Sequence, residues 1–194
     1  MPERDGLLHE LLARPVCRES FAPFGELLSV EGLEPLQRGS NFYAARSSLY
    51  RPGALVSTRP VEFLIYESDP RPLRVEFLER HVELTQSFLP LGGVPYVVVV
   101  ARPDAAEDEH GFPLLSEISA FVVPGSAGVN LGLGTWHEPP FPLVPGSAFV
   151  VTSHADLTQG LRSTVDERGE VAKLDVEKRS VTGRTGFELR VRLP

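Results

Sequence analysis

Four residues in the middle of the sequence have side chains that could bind a divalent metal ion or exchange protons with a substrate. Glu79 and His81 lie one residue apart in "FLERH", Gln86 follows five residues later, and His137 lies in "GTWHEPPF". Because side chains alternate along a strand, an extended "FLERH" puts Glu79 and His81 on one face. One carboxylate, two imidazoles and an amide oxygen are suitable ligands for a first-row divalent ion. The pattern predicts a metal or acid–base site, with a satisfied polar strand end as the alternative.

The two neighbours of His137 are further candidates. Glu138 could act as an acid or base, although alternation in an extended chain points it away from His137, and an exposed carboxylate on a proline-rich rim is the alternative. Trp136 is expected at the mouth of the pocket, packing there or contacting the substrate. His9 and His110 lie in a terminal segment and an acidic loop, and we interpret both as solvated bystanders.

Short apolar runs must position these side chains. The runs "YVVVVA" (Tyr96–Ala101), "ISAFVV" (Ile118–Val123) and "SAFVVT" (Ser147–Thr152) are nearly continuous, which predicts strands buried on both faces. Helix signals are weak, and we predict only short helical turns within Leu7–Ala13 and Arg18–Leu28. With 18 prolines and 17 glycines between the apolar runs, the chain is predicted to be mostly β with a few short helices.

Composition excludes several classes of partner. The net charge is −7 and the basic residues are scattered, which argues against nucleic acid and anionic membrane surfaces. The longest apolar run, Val97–Ala101, is too short to span a bilayer. Cys17 is the only cysteine and cannot form an internal disulfide. We therefore expect a cytoplasmic protein, although composition does not identify its partner. No organic cofactor is expected, because the sequence lacks a Walker A loop and a dinucleotide-binding fingerprint.

Two stretches resemble the metal-binding motifs of the cupin barrels. Glu79-x-His81-x4-Gln86 resembles the first motif, H-x-H-x(3,4)-E, with the leading histidine and the glutamate replaced. Gly134-Thr-Trp-His137 resembles the end of the second motif, P-x-G-x-x-H. The blocks "RESFAPFGELL", "RHVELTQSFLPLGGVPYVVVVARP" and "ISAFVVPGSAGVNLGLGTWHEPPFPL" occur in the order found in the ureidoglycolate lyase family, and the chain resembles that family from about Arg18 to His154.

The resemblance implies a fold and an assembly. It implies a cupin-type double-stranded β-helix, or jelly-roll, barrel in a single domain over residues 1–194. Residues 1–17 would form an N-terminal extension, and residues 155–194 would form an additional C-terminal hairpin. Barrels of this class commonly pair through their strand-rich N-terminal edges, so the resemblance also implies a homodimer, to whose interface the C-terminal hairpin could add.

The resemblance further implies cleavage of ureidoglycolate to glyoxylate and urea. A base must take the hydroxyl proton, a cation must hold the carboxylate, and the departing urea must be protonated. His137, Glu138 and His81 would be the catalytic residues. Arg46, with Trp136, would contact the substrate. The resemblance assigns a divalent metal ion to four side chains: Glu79, His81, Gln86 and His137.

One loop departs from the family pattern. The family usually reads G-V-N-Y-H-R-G-x-W-H-H-P-L here, whereas Leu131, Gly132 and Leu133 stand for the tyrosine, histidine and arginine, and Glu138 stands for a second histidine. A polar loop has become apolar, which suits a larger and less polar ligand. Two alternatives follow: a cupin that binds a small molecule without turnover, and a metal-dependent cupin enzyme with a changed, less polar substrate.

Overall fold

The computed structural model describes residues 7–38, 46–155, 166–173 and 175–194, and strands dominate this part of the chain. The strands are β1 (Leu7–Leu12), β2 (Arg14–Pro15), β3 (Gly25–Leu28), β4 (Gln37–Arg38), β5 (Ser48–Leu49), β6 (Val61–Ser68), β7 (Arg74–Val75), β8 (Phe77–His81), β9 (Gln86–Leu91), β10 (Tyr96–Ala101), β11 (Ile118–Val123), β12 (Gly128–Leu131), β13 (Trp136–Pro142), β14 (Ser147–His154), β15 (Val171–Lys173), β16 (Val176–Ser180) and β17 (Phe187–Arg192). The helical segments are α1 (Arg18–Phe21), a 3-10 turn (Leu115–Glu117) and α2 (Val181–Thr185). The prediction of a mostly β chain with a few short helices is confirmed.

Three sheets make up the body of the described chain. A seven-stranded sheet has the order β15-β16-β8-β13-β10-β11-β2, a five-stranded sheet β3-β12-β9-β14-β6, and a three-stranded sheet β1-β17-β7. They face one another as a jelly-roll-like sandwich. The closed barrel implied by the resemblance is not formed, because strands such as β3 and β6 pair on one side only and leave the five-stranded sheet with open edges.

The seven-stranded sheet lies between the other two, as strand β10 illustrates. All six residues of β10 are buried. Val98 points into a core shared with Phe149 of the five-stranded sheet. Its neighbour Val99 points into a second core, which contains Trp136 and residues of the three-stranded sheet. The apolar side chains of β10 therefore pack into two cores, which confirms for this strand the prediction of burial on both faces; β11 and β14 each also contain half-buried residues.

The two ends of the described chain are joined in the three-stranded sheet. β1 pairs in parallel with β17, from Leu7 opposite Phe187 to Leu12 opposite Arg192. The helical prediction for Leu7–Ala13 is wrong, because this pairing outweighs local helix preference. In Arg18–Leu28 only the four residues of α1 are helical, and β3 follows.

The C-terminal segment extends the sheet that contains the candidate site. β15 and β16 form an antiparallel hairpin, and β16 pairs with β8 from Val176 opposite His81 to Ser180 opposite Phe77. Residues 176–180 are therefore in direct register with "FLERH". Among the described residues, no helix has the length and apolar character needed to cross a membrane.

Candidate functional site

Neighbouring strands bring three of the predicted ligands together. Glu79 on β8 and His137 on β13 are directly paired residues, so their side chains share one face of the seven-stranded sheet. His81 lies two residues beyond Glu79 and shares that face by alternation. Gln86 comes from β9 of the facing sheet and reaches His137 across the sandwich. We call Glu79, His81, Gln86 and His137 the central cluster.

A glycine turn fixes the position of His137. Gly134 has a φ of +75°, a left-handed conformation that glycine adopts without steric cost. Its N–H donates to the carbonyl of His81 over 2.6 Å. A Cβ added to Gly134 would lie 3.2 Å from the Cβ of Pro103. The turn therefore ties the start of β13 to the end of β8 and holds the two histidines of the central cluster close together.

The ring of His137 is surrounded by oxygen atoms. Its Nδ1 lies 3.0 Å from the carbonyl oxygen of Thr135. Its Nε2 lies 2.7 Å from Oε1 of Gln86 and 3.5 Å from Oε1 of Glu79. The carbonyl oxygen of Thr135 accepts a hydrogen bond from Nδ1–H, and Nε2 faces an amide oxygen and a carboxylate oxygen together. A cation between Nε2 and these two oxygens would satisfy all three atoms.

His81 supplies a ring nitrogen that has no hydrogen-bond partner among the described residues. Its side chain is 4% exposed, and its Nδ1 lies 3.2 Å from Oδ2 of Asp175. Its Nε2 is buried, and no hydrogen-bond partner lies within reach in the described part of the chain. Ligand atoms of Glu79, His81 and His137 all lie within 4.8 Å of one another. The orphaned nitrogen, the converging oxygens and the donor types fit a divalent metal ion.

The charge of Glu79 is maintained despite its partial burial. Burial opposes ionisation, but the hydrogen bond and charge of His137, with the nearby charges of His81 and Lys178, lower the pKa of Glu79 to about 2. Its side chain is 19% exposed, compared with 1% for His137. Glu79 is therefore an anion at neutral pH and lies on the solvent-accessible side of the central cluster.

Glu138 lies on the opposite face of β13. It pairs with Val99, whereas His137 pairs with Val100, and these two valines belong to different cores. Its Oε1 accepts from Arg71 over 3.0 Å, and its Oε2 accepts from the N–H of Phe77 over 3.1 Å. Burial raises the pKa of Glu138 to about 7, although Arg71 and the Phe77 N–H act in the other direction. The structure does not bring Glu138 to the central cluster.

The two predicted substrate-binding residues also lie away from the central cluster. Trp136 is fully buried on the same face as Glu138, where the guanidinium of Arg80 lies 4.3 Å from its ring centroid. The tryptophan packs in the sheet interior and not at a pocket mouth. Arg46 is exposed in the turn before β5. Within the described residues, no hydrogen bond or ion pair joins Arg46 to the cluster.

The apolar loop borders the cluster. Leu131 is fully buried and pairs with Gln86 in the five-stranded sheet, so its side chain lies beside the amide that reaches His137. Leu133 is 39% exposed in the turn that follows. The wall next to Gln86 is therefore apolar where the family has a polar side chain.

Sequence reasoning missed three residues around the central cluster. Asp175 is buried and contacts His81, and His154 is fully buried beside Asp175. Lys178 pairs with Glu79 across β16 and β8, and therefore shares the face of the cluster. Two of the three lie in the segment assigned to an added hairpin. The only available signal was the alternation of Val176 and Lys178 in "VEKRS", which becomes informative once the register with β8 is known.

Comparisons with known proteins identify the family of this chain. A family model described as ureidoglycolate lyase matches residues 8–176. Proteins named ureidoglycolate lyase are similar to the chain. That of Azotobacter vinelandii is 32% identical over 143 residues, covering 73% of this chain and 82% of the relative. That of Pseudomonas savastanoi pv. phaseolicola is 30% identical over 151 residues, with coverages of 76% and 85%. That of Brucella anthropi is 32% identical over 147 residues, with coverages of 75% and 83%. The family match includes β15 and Asp175.

Proposed function

The chain belongs to the ureidoglycolate lyase family, and we propose that it is an enzyme that cleaves ureidoglycolate to glyoxylate and urea. The main support for this proposal is the geometry of the central cluster. Two buried imidazole nitrogens and a charged carboxylate converge within 4.8 Å, and Gln86 completes the set from the facing sheet. Such a group of donors suits a small, oxygen-rich anionic substrate.

The reaction moves one proton and breaks one bond. The hydroxyl of ureidoglycolate loses its proton and becomes the aldehyde oxygen of glyoxylate, while the carbon–nitrogen bond breaks and urea nitrogen receives a proton. The protein must therefore offer an acceptor near the hydroxyl, a donor near the nitrogen, and positive charge near the carboxylate. No net proton is taken up or released, so acceptor and donor must be close enough to work on the same molecule.

The residues of the central cluster would hold a divalent metal ion through Glu79, His81, Gln86 and His137. When bound, such an ion supplies Lewis acidity that favours loss of the substrate hydroxyl proton. The protein itself contributes the position of the ligand atoms and the negative charge of Glu79. Glu79 remains anionic at neutral pH and lies on the accessible side of the cluster, so it can accept a hydrogen bond from the substrate hydroxyl and hold that group in position. Burial of His81 and His137 keeps competing water from their ring nitrogens.

Lys178 is the best cation for the substrate carboxylate. It shares the face of Glu79, and its ammonium lies 4.3 Å from the ring centroid of Phe77. An ammonium in this position would hold the carboxylate next to the central cluster. Arg46 was the candidate from the sequence, but it is exposed and makes no described hydrogen bond or ion pair with the cluster. Lys178 therefore takes the role that the resemblance gave to Arg46.

The apolar wall favours a second candidate within the same fold. Leu131 is buried beside Gln86, and Leu133 is partly exposed in the adjoining turn. An α-hydroxy acid derivative with a larger apolar substituent would contact both side chains, whereas urea would leave them in contact with water. The second candidate function is therefore metal-assisted cleavage of a less polar substrate at the same central cluster.

A direct assay decides between these proposals. The purified protein, stripped of metal and then supplied with Mn²⁺ or Zn²⁺, is given ureidoglycolate, and glyoxylate and urea are both quantified. We expect equimolar products, their loss in His137→Ala, and their retention in His110→Ala. His110 is a matched control because its side chain is 54% exposed and away from the cluster. Absence of product at every metal tested would reject ureidoglycolate as substrate, and activity in His137→Ala would reject the site.

We propose further that two copies pair through the outer face of the five-stranded sheet. Phe63 and Ile65 on edge strand β6 are 74% and 64% exposed, and Leu91 on the same face is 44% exposed. A contiguous apolar patch on an edge strand favours self-association. Light scattering is expected to give twice the chain mass of 21.3 kDa, and Phe63→Glu is expected to give a monomer. A monomeric wild-type protein would reject the dimer.

The family resemblance also supports a cellular setting. We propose that the reaction takes place in the cytoplasm, in the breakdown of purines through allantoin. The ureide substrate of this chain would come from the hydrolysis of a longer ureide, and an oxidoreductase or transferase would consume the aldehyde product.

A further inference from the structure

We infer that Asp175 is a positioning residue that fixes which nitrogen of His81 carries the proton, so that His81 presents the lone pair of Nε2 to the central cluster. The inference concerns the site of the proposed function and rests on it only for its effect on turnover. It adds to the site a residue from the segment after β15 and a buried histidine from β14.

Asp175 is held in one orientation by the main chain of the β8–β9 connection. Its side chain is fully buried. The N–H of Glu83 donates to its Oδ1 over 2.6 Å, and its own carbonyl oxygen accepts from the N–H of Val82 over 3.1 Å. These contacts leave Oδ2 pointing at the imidazole of His81, 3.2 Å from Nδ1. The carboxylate cannot turn away without losing a hydrogen bond in a buried place.

An ionised carboxylate only accepts hydrogen bonds, so the proton must be on Nδ1 of His81. The other ring nitrogen then carries a lone pair. That atom, Nε2, is buried without a hydrogen-bond partner in the described residues, and it faces Glu79 and His137. A carboxylate behind a histidine sets the ring orientation and makes the free nitrogen a better metal ligand or base.

His154 supports Asp175 from the other side. It is fully buried, and its Nδ1 also lies 3.2 Å from Oδ2 of Asp175. Its Nε2 lies 2.8 Å from the hydroxyl oxygen of Ser57. The Ser57 hydroxyl donates to the carbonyl oxygen of Arg59 over 2.6 Å, so His154 donates to Ser57 from Nε2. Its Nδ1, which has no hydrogen-bond partner among the described residues, lies beside the carboxylate of Asp175. His154 and Asp175 are thus two fully buried side chains in contact behind His81 and the central cluster.

The isosteric change Asp175→Asn tests the inference. Its amide oxygen can still accept from Glu83, but its NH₂ group then faces His81 and donates to Nδ1. His81 must move its proton to Nε2, where it blocks the central cluster. We expect long-range proton–nitrogen NMR of the metal-free protein at mildly alkaline pH to show Nδ1–H in the wild type and Nε2–H in Asp175→Asn.

A second readout is the affinity for Mn²⁺ and Zn²⁺ by titration. Loss of a carboxylate behind a ligating histidine typically weakens binding by roughly 10–100-fold, and we expect that loss in Asp175→Asn. Asp104→Asn is the matched control, because Asp104 is 78% exposed and has only a distant ion pair with Arg102 at 3.6 Å. The control should retain wild-type affinity and tautomer.

Three results would overturn the inference. These are a wild-type His81 that carries its proton on Nε2, a folded Asp175→Asn variant with unchanged tautomer and affinity, and a second bound metal equivalent lost in both Asp175→Asn and His154→Gln. The last would make Asp175 a ligand itself. The wild-type spectrum decides the question even if Asp175→Asn fails to fold. A tautomer switch in a protein that does not cleave ureidoglycolate would support the inference and reject the proposed function.

Discussion

The ion pair of Glu170 offers a test of what holds the C-terminal hairpin in place. Glu170 precedes β15 and is 4% exposed. Its Oε1 accepts from Nε of Arg184 over 2.9 Å and from the N–H of Ser180 over 3.0 Å. These contacts fasten both ends of the hairpin that contains Asp175 and Lys178. Glu170→Gln keeps the volume of the side chain and removes its charge.

The size of the effect follows from the contacts. A hydrogen bond to a charged group contributes about 1.5–3 kcal/mol, and exposure of Arg184, at 21% of its side chain, reduces the ionic part. We therefore expect the free energy of unfolding to fall by about 2 kcal/mol. For a chain of this length, that corresponds to a decrease of about 4–8 °C in Tm.

The stabilisation that the Glu170 carboxylate provides should decrease as the pH falls. The side-chain hydrogen bond from Arg184 lowers the pKa of Glu170 to about 2, against an ordinary value of 4.5. A lowered pKa means that the folded state prefers the charged form. The stabilisation is therefore fully present above pH 4.5 and is lost as the pH falls through about 2. The wild-type advantage over Glu170→Gln should shrink across that window.

Chemical denaturation followed by circular dichroism at a series of pH values measures both quantities. Glu109→Gln is the control, because Glu109 is 87% exposed and its neutralisation should leave the unfolding free energy nearly unchanged. A Glu170→Gln difference that is constant across the acid window would refute the reasoning. So would a difference no larger than that of the control.

Three further substitutions test the site and its surroundings. Gln86→Leu removes the oxygen that lies 2.7 Å from Nε2 of His137; we expect Mn²⁺ affinity and kcat to fall by roughly 10-fold or more, and steady-state kinetics with unchanged values would contradict this. Lys178→Met should raise KM for ureidoglycolate about tenfold, the equivalent of roughly 1.4 kcal/mol, with a smaller change in kcat; an unaltered KM would remove Lys178 from the substrate site. Arg71→Leu leaves the buried carboxyl of Glu138, whose pKa is raised by burial to about 7, without its cation, so thermal unfolding should show a loss of up to about 3 kcal/mol at mildly alkaline pH, where Glu138 is charged, and a smaller loss at mildly acid pH, where it is protonated; equal losses at both pH values would count against it.

The sequence predicted those parts of the site that depend on local geometry. Alternation along "FLERH" was sufficient to put Glu79 and His81 on one face, and the turn at Gly134 was sufficient to mark His137. The same alternation indicated that Glu138 would point away, and its carboxylate does lie on the other face of β13. These predictions depend on one or two adjacent strands, for which the spacing of side chains is fixed.

The rest depends on pairings over long sequence separations. Asp175 meets His81 only because β16 lies beside β8, and a lone aspartate in "VAKLDV" gives no signal of this distant partner. The helical pattern of Leu7–Ala13 failed for the same reason, because the segment pairs with β17 near the other end of the described chain. Register between distant strands is set by the whole core, and no short window of sequence contains it.

The parallel pairing of β1 with β17 has a consequence for how the protein is made. Leu7 and its partner Phe187 are separated by nearly the whole described chain. During synthesis, β1 therefore cannot form its strand pairing until β17 has been translated. Contacts of such long separation slow folding and leave apolar surface uncovered in the meantime. The uncovered surface is the face of the seven-stranded sheet opposite to His137. There Leu189 and Val191 of β17 cover the core around Trp136 in the folded protein. The sheet that carries the central cluster therefore has a complete core behind it only after β17 has been translated and has packed against it.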